Sequence, residues 1–163
     1  MAGPVTWRLD GIQYVSVAAG WGGSFPLAGG TAARLANVWG GGRVLTYALG
    51  ATGEAPKKAV PPPITGHAPK RPAQPLPASL VDRGSVLYHD HCLGCHGPKA
   101  ISGGSIVDLR DASQETLDQL EAILLGGQRE ALGMPNFSDR LATEDVRAIG
   151  AYLLSRNRRA ETD

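Results

Sequence analysis

The sequence contains no run of about 18 apolar residues, so no segment is expected to cross a membrane as a helix. Its first eight residues lack the charged stretch and the apolar core of a secretory signal peptide. Cysteine is scarce as well, because the 163 residues include only Cys92 and Cys95. Two cysteines three positions apart exclude a disulfide framework, but they allow a redox dithiol or a haem attachment site.

Charged side chains are sparse, at 19% of the chain, and their signs are unevenly distributed. Residues 1–78 carry seven Lys and Arg against two Asp and Glu, for a net charge of +5. Residues 79–163 carry nine against thirteen, for a net charge of −4. No basic patch with interleaved aromatic residues is present, which argues against a nucleic-acid-binding protein.

Residues 1–53 have the composition of a glycine-rich β segment, with twelve of the 22 glycines between short β-like runs. Asp10-Gly11 predicts a type I′ hairpin turn, since that turn needs positive φ at both central positions. A further strand is expected over residues 43–49. We expect three or four antiparallel strands in all. Because so small a sheet has unpaired edges and little core, we interpret the segment as part of a larger sheet protein.

Residues 54–78 form a proline-rich stretch that contains eight of the twelve prolines, three of them consecutive at positions 61–63. Proline fixes φ and removes a backbone donor, so we interpret this stretch as an extended, semi-rigid linker without a core of its own. The predicted boundaries are therefore 1–53 for the β segment, 54–78 for the linker and 79–163 for a helical domain.

From Ser79 onward, apolar residues recur at helical spacing. Residues 79–82 can cap a first helix, residues 113–125 predict a second, and a third is expected to follow Thr143. The residues expected to face the core are Leu80, Gly84, Leu87, Tyr88, Leu117, Leu120, Leu124, Val146, Ile149, Leu153 and Leu154. Three helices in about 80 residues make a domain small enough to need a staple, and a buried haem would supply one.

The sequence Cys92-Leu-Gly-Cys95-His96 matches the attachment motif of c-type haem. Two thiols on one turn can each add to a haem vinyl group, and the adjacent histidine then directs a ring nitrogen at the iron. A thioredoxin-like dithiol shares the Cys-x-x-Cys spacing but needs a βαβ context, which is missing here. A zinc site lacks a second Cys/His pair at ligand spacing. His96 therefore favours a covalent haem c, with His96 as an axial iron ligand.

Met134 is the predicted second axial ligand of the iron. Apart from Met1 it is the only methionine, and it lies between the second and third predicted helices, flanked by Gly133 and Pro135. A methionine in a helical domain usually fills a gap in the core. Here the flanking Gly and Pro favour a loop that presents one thioether to a metal, and a His/Met pair raises the haem reduction potential.

The remaining histidines are not expected to bind metal. His89 and His91 end the first predicted helix and are expected to be solvated, and His67 belongs to the predicted linker. None of the three has a partner at ligand spacing.

Residues 79–163 resemble a class I c-type cytochrome domain, and several motifs narrow the resemblance. These motifs are Ile101-Ser-Gly-Gly-Ser, Asp108-Leu-Arg, Ile123-Leu-Leu-Gly-Gly, Gly133-Met-Pro-Asn-Phe and Glu144-Asp-Val-Arg-Ala-Ile-Gly-Ala-Tyr. They look like the cytochrome domain of quinohaemoprotein alcohol dehydrogenases. In that family a PQQ-binding, eight-bladed β-propeller precedes a linker and this cytochrome, and the enzymes are periplasmic. The resemblance thus implies a mixed, multidomain fold and a periplasmic location.

Residues 1–53 resemble the final propeller strands of the same family. The motifs are Pro4-Val-Thr-Trp, Asp10-Gly-Ile-Gln-Tyr-Val, Ala19-Gly-Trp-Gly-Gly and Gly42-Arg-Val-Leu-Thr-Tyr-Ala-Leu. The resemblance places Trp21 and Gly22 near the quinone ring of PQQ, although a Gly-Trp-Gly-Gly turn can also be purely structural. The catalytic aspartate, the calcium ligands, the vicinal disulfide and most of the PQQ pocket belong to earlier blades. The sequence is therefore expected to be a C-terminal fragment, with PQQ and calcium bound only by the full-length parent.

Two positions in the loop after the haem motif bear on its ligands. The family usually has Pro before its Asp-Leu-Arg, and its carbonyl accepts a hydrogen bond from the proximal histidine. Val107 occupies that position here, which keeps a carbonyl but loses the fixed φ. Arg110 is expected to pair with a haem propionate, or alternatively to form a surface ion pair with Asp108 or Asp111.

Three functions remain open from the sequence. The first is an electron-transfer module that passes electrons from PQQ-dependent alcohol oxidation to an external acceptor, such as a small cytochrome, a blue-copper protein or a quinone system. Its partner would be the missing N-terminal propeller. The second is a free-standing periplasmic cytochrome that docks to a partner subunit through its β segment. The third is a sensor with an open iron position, which Met134 argues against because it would fill that position.

Overall fold

A computed structural model describes residues 3–20, 24–36, 42–54, 57 and 65–160. Its β segment is a three-stranded antiparallel sheet in the order β1 (Val5–Leu9), β2 (Ile12–Ala19) and β3 (Arg43–Ala48). The turn between β1 and β2 has Asp10 at φ 51° and Gly11 at φ 81°. Both values are positive, as a type I′ turn requires, which confirms the predicted hairpin.

Apolar side chains on this sheet remain largely in solvent. Trp7 stacks on Tyr14 with ring centroids 4.4 Å apart, and its Nε1–H donates to Ser16 Oγ at 2.9 Å. The exposed apolar side chains of the strands and the adjoining turn are Val5, Trp7, Leu9, Ile12, Val15, Val44, Tyr47 and Leu49. The described residues of the sheet therefore form no closed core of their own, in agreement with the expectation from the sequence.

Two short helices, α1 (Phe25–Ala28) and α2 (Gly30–Leu35), lie between β2 and β3. These helices were not expected, because residues 1–53 were predicted to contain strands alone, and that prediction was wrong. Helices of four and six residues are too short to show a 3.6-residue period, and the glycines around them suggested loops. Pro26 suits the first turn of α1, because proline lacks the N–H that would remain unbonded there.

The remaining part of the chain is helical. Its α-helices are α3 (Ala78–His91), α4 (Leu93–His96), α5 (Gln114–Asp118), α6 (Leu120–Leu124) and α7 (Thr143–Arg156), with 3₁₀ turns at Pro98–Ala100, Leu109–Asp111 and Glu130–Leu132. Helix α3 packs closely against α7, and Gly84 permits the approach because a Cβ there would overlap the Ala148 carbonyl. The core contains Tyr88, Leu120, Leu124, Phe137, Leu141, Val146, Ile149, Tyr152 and Leu153.

The three predicted helices are present, but their ends differ from expectation. Helix α3 begins at Ala78 after Pro77, so Ser79 lies inside the first turn and caps nothing. The single helix predicted over residues 113–125 is divided at Gln119, whose φ and ψ of −95° and 5° are not helical. Ser113 does cap α5, where its Oγ accepts from the Thr116 N–H at 3.3 Å.

The described part of the proline-rich stretch lies on the helical domain. Pro69 is buried, and the Gln114 N–H donates to the His67 carbonyl at 2.9 Å. The Arg159 guanidinium donates to the carbonyls of Thr65 and Gly66. Residues 65–77 are thus attached to the domain that follows them. Among the described residues, no helix is both long and apolar enough to cross a membrane.

Candidate haem attachment site

The end of α3 and the short helix α4 place the two cysteines and the histidine together. The Cys92 N–H donates to the Tyr88 carbonyl at 2.8 Å, so Cys92 caps the C-terminal end of α3. The His96 N–H then donates to the Cys92 carbonyl at 2.9 Å. Cys92 is buried, Cys95 is exposed, and both are free thiols. The motif is therefore one compact turn at the edge of the core, as the sequence predicted.

The electrostatics of Cys92 differ from those of a redox dithiol. Burial, and then the neighbouring Cys95, raise the pKa of the Cys92 thiol to about 11. Reactive dithiols instead depend on a thiol pKa that is lowered by a positive environment or a helix N-terminus. The thioredoxin-like alternative is therefore unsupported at Cys92, whereas a buried neutral thiol is compatible with covalent attachment to an apolar group.

His96 has an unsatisfied buried nitrogen. Its Nδ1 is shielded from solvent and has no hydrogen-bond partner among the described residues. Burial, and then the positive charge of Arg129, lower the pKa of the ring. The neutral imidazole is the form that binds metal, and its two nitrogens have separate roles: Nε2 would bind the iron, while Nδ1 would donate to an acceptor. The two free thiols and this imidazole therefore fit a covalently attached haem.

The structure also bears on the second contact expected for the proximal histidine. Val107 is 67% exposed, and its carbonyl does not accept a hydrogen bond from His96 Nδ1. Without the proline ring, the φ at this position is not fixed. The hydrogen bond that the resemblance implied at this position is not formed in this structure.

Backbone contacts fix the chain just after the motif. The buried Tyr88 hydroxyl donates to the Gly97 carbonyl at 2.7 Å. Gly97 has φ 76°, and a Cβ there would overlap the Ile101 carbonyl. Lys99 and Ala100 also have positive φ, at 56° and 62°, which is strained for residues with a Cβ.

Two side chains from α3 and α7 hold the strained Lys99 peptide. The Lys99 N–H donates to His89 Nε2 at 3.3 Å, and Arg156 Nε donates to the Lys99 carbonyl at 3.4 Å. His89 Nδ1 lies 2.7 Å from the Ser85 carbonyl, to which it donates when Nε2 acts as acceptor. The expectation that His89 is solvated was therefore wrong, since its ring lies half-buried between α3 and α7 beside Tyr152.

The other two histidines also have neighbours. His91 is half-buried and approaches Phe137 edge-on, with ring centroids 6.1 Å apart, so it is not solvated as expected. The His67 ring is hydrogen-bonded to the Glu115 carboxylate. Where the structure describes the chain, no group of three or more His, Cys, Asp or Glu side chains could hold a metal ion.

Met134 lies on the predicted loop between α6 and α7. Gly133 precedes it in the left-handed conformation at φ 87°, and the Met134 N–H donates to the Arg129 carbonyl at 3.2 Å. Its half-buried side chain packs against the core cluster that also contains Cys92. The loop position and partial burial of Met134 are both compatible with an iron ligand. The ligation itself remains a prediction.

Arg110 is bound to its neighbour Asp108. Its Nε donates to Asp108 Oδ1 and its Nη2 to Asp108 Oδ2, each at 2.9 Å. Burial alone would raise the pKa of Asp108, but the hydrogen bond and the charge of Arg110 outweigh it and lower that pKa. This geometry corresponds to the ion-pair alternative. The predicted quinone contacts Trp21 and Gly22 lie outside the described residues.

Sequence reasoning missed the residues that support the motif from a distance. Arg34 Nη1 donates to Asp108 Oδ2 at 2.8 Å across 74 positions of sequence, for which no local signal exists. The roles of His89 and Arg156 likewise depend on how α3 and α7 cross. The strain at Lys99 and Ala100 has no sequence signature, because both residues normally avoid positive φ.

Comparison with known proteins identifies the helical part. Residues 79–153 match the sequence family described as cytochrome c oxidase, cbb3-type, subunit III. Together with the Cys92–His96 turn, this match identifies the kind of domain. Residues 79–153 are a cytochrome c domain. Such a domain carries a covalent haem c and transfers electrons.

The relatives of this cytochrome are larger dehydrogenases. The chain is 40% identical to the quinohaemoprotein alcohol dehydrogenase ADH IIB of Pseudomonas putida, over 96% of its own length and 22% of that protein. The solved structure of ADH-IIG from Pseudomonas putida matches with a TM-score of 0.78 at 41% identity, over 96% of this chain and 22% of that one.

A second solved structure, the quinohaemoprotein alcohol dehydrogenase of Comamonas testosteroni, matches with a TM-score of 0.64 at 32% identity. It covers 93% of this chain and 21% of that one. The chain therefore spans about a fifth of the length of the relatives it matches and is homologous to their C-terminal cytochrome region.

Proposed function

We propose that this cytochrome relays electrons, one at a time, from PQQ-dependent alcohol oxidation in a larger parent enzyme to an external redox acceptor. The observation that carries the proposal is the Cys-x-x-Cys-His turn, which has two free thiols and an imidazole whose pKa is lowered by burial, in a chain homologous to quinohaemoprotein alcohol dehydrogenases. When bound, the haem supplies a ferric/ferrous couple that changes by one electron. The acceptor would be a small cytochrome, a blue-copper protein or a quinone system.

Each candidate residue has a distinct role in this proposal. Cys92 and Cys95 would anchor the haem covalently, and His96 and Met134 would bind its iron. The soft thioether of Met134 favours ferrous iron and so raises the reduction potential. Arg110 uses Nε and Nη2 for Asp108, which leaves Nη1 for a propionate oxygen.

The N-terminal part has a structural role in the same proposal. Strands β1–β3 are the last strands of a PQQ-binding propeller, and residues 54–78 are the linker to the cytochrome domain, residues 79–163. The exposed apolar side chains of the sheet support this, because a sheet inside a propeller is covered by its neighbours. Trp21 and Gly22 would lie near the quinone ring. The location is periplasmic, since haem c is normally attached outside the cytoplasm.

The assignment of Met134 is tested by the ferric absorbance spectrum of the haem-loaded chain. We expect the weak long-wavelength band of Met–iron ligation in the wild-type protein and its loss in Met134→Ala. Leu132→Ala is the matched control, because Leu132 lies on the same loop but is 83% exposed. Survival of the band in Met134→Ala would show that another residue is the sixth ligand.

The alternative function is a free-standing periplasmic cytochrome that uses its sheet to dock on a partner subunit. The same exposed apolar sheet favours it. The DNA upstream of the first codon separates the two. An in-frame continuation that encodes β repeats and a signal peptide supports the parent enzyme, and a start codon with its own export signal supports the free-standing cytochrome.

A further inference from the structure

The segment that contains α1 and α2 packs against the loop that follows the haem attachment turn. A Cβ on Gly103 would overlap the Pro26 carbonyl, and the Ser105 N–H donates to that carbonyl at 3.4 Å. A Cβ on Gly30 would lie 2.9 Å from the ring of Pro98. Glycine therefore permits close approach to the Pro26 backbone at Gly103 and to the Pro98 ring at Gly30.

One ion pair reinforces this contact. Arg34, from α2, donates to Asp108 Oδ2 at 2.8 Å. The Asp108 side chain is only 6% exposed and also holds Arg110, so two guanidinium groups share one nearly buried carboxylate. The Arg34 side chain is 44% exposed and Asp108 keeps Arg110 as a partner, so this pair is expected to bias the contact modestly instead of holding it alone.

The pair joins two parts of the molecule that the sequence keeps far apart. Arg34 precedes the proline-rich stretch, and Asp108 follows the haem motif. Trp21, which the proposed function puts near the quinone, lies three residues before the contacting segment, residues 24–36. Electron-transfer rates fall steeply with distance. Contacts that hold residues 24–36 on the cytochrome would therefore also set the distance of the last electron transfer, from the quinone to the haem.

We propose that Arg34 is a positioning residue, whose bond to Asp108 holds residues 24–36 against the haem attachment loop and sets the distance over which electrons enter the haem. The proposal rests on the proposed electron-transfer function. Arg34 touches neither haem nor quinone in this scheme and acts only through Asp108. Loss of a partly exposed pair of this kind is expected to raise the equilibrium constant for opening of the contact about two- to fivefold.

Hydrogen exchange on the haem-loaded chain measures the contact directly. In Arg34→Gln, amides of residues 24–36 are expected to exchange about two- to fivefold faster than in the wild type. Arg34→Lys keeps the charge and is expected to restore most of the protection. Arg83→Gln is the matched control, because it removes an ion pair with Asp145 at 2.6 Å between α3 and α7. Equal exchange in Arg34→Gln and wild type would overturn the proposal.

Photoinduced electron injection tests the positioning role. Haem attachment consumes both native cysteines, so Thr31→Cys on the exposed side of α2 provides one site for a ruthenium photoreductant. With Arg34 present, electron transfer from the photoreductant to the haem is expected to follow a single exponential. In Arg34→Gln it is expected to be slower and to show an additional slow phase. Faster exchange with unchanged injection would make Arg34 merely structural. No injection even with Arg34 present would instead count against electron transfer itself, and the exchange data would still judge the contact.

Discussion

Tyr88 is the largest fully buried side chain among the described residues, and its hydroxyl donates to the residue that follows the haem turn. Burial raises its pKa above the ordinary range, with smaller contributions from Cys92 and Tyr152, so the group stays a neutral donor to the Gly97 carbonyl. The bond joins the middle of the helical core to the residue after His96. A core aromatic thus also fixes the path of the chain at the site.

Replacement of this hydroxyl is expected to cost stability. Tyr88→Phe leaves the Gly97 carbonyl without its donor, and an unsatisfied buried acceptor costs about 1–3 kcal/mol. Urea unfolding of the haem-loaded chain measures the loss. Tyr47→Phe is the control, since Tyr47 is 46% exposed on β3 and should change stability little. Equal stability of Tyr88→Phe and wild type would mean that the Gly97 bond contributes nothing.

Asp108 makes part of the stability depend on pH. Arg110 lowers its folded-state pKa despite burial, so the unfolded chain takes up the proton first as pH falls. The ionised carboxylate therefore stabilises the fold above the unfolded pKa of about 4, and this contribution is lost as pH falls through the folded pKa. In urea titrations, the stability difference between wild type and Asp108→Asn should be largest near neutral pH and narrow below about pH 4. A difference that stays constant on acidification would contradict this.

At the level of the elements, the packing of α3 against α7 is the main contact within the helical domain. Both helices were predictable, because each repeats apolar residues at helical spacing over fourteen residues. Helices α1 and α2 were not, because they are too short to show a period. The Cys92–His96 turn was predictable because its chemistry is local. The Arg34–Asp108 contact was not, because it depends on a packing that only the folded chain creates.

Two glycines test the helix crossing with opposite expectations. Gly84→Ala places a Cβ into the Ala148 carbonyl, so α3 and α7 must separate, and overpacking of this kind costs about 1–3 kcal/mol. Gly150→Ala meets only Leu120 Cδ1, a movable side chain 3.2 Å away. In that helix interior alanine gains up to about 1 kcal/mol over glycine. Thermal unfolding should thus place Gly84→Ala below Gly150→Ala, and the reverse order would refute the close crossing.

At the scale of the whole molecule, the two parts of the chain differ in how much apolar surface they bury. The helical part encloses its core. The sheet leaves apolar side chains exposed and, within the described residues, has unpaired edges on β1 and β3. Unpaired strands with apolar faces pair readily with other chains. Among the described residues, the sheet is therefore the surface that we expect further protein to cover.

We expect the isolated haem-loaded chain to self-associate through this sheet. Lysine substitutions at Val44 and Leu49, which are 73% and 78% exposed, should raise the monomer fraction in sedimentation velocity, because charge on an edge strand blocks pairing. Val86→Lys is the control, since Val86 is 61% exposed on α3 and should leave association unchanged. The haem spectrum should be the same in all variants. A wild-type chain that stays monomeric at high concentration would mean that the sheet needs no cover, which would weaken the case for a missing propeller.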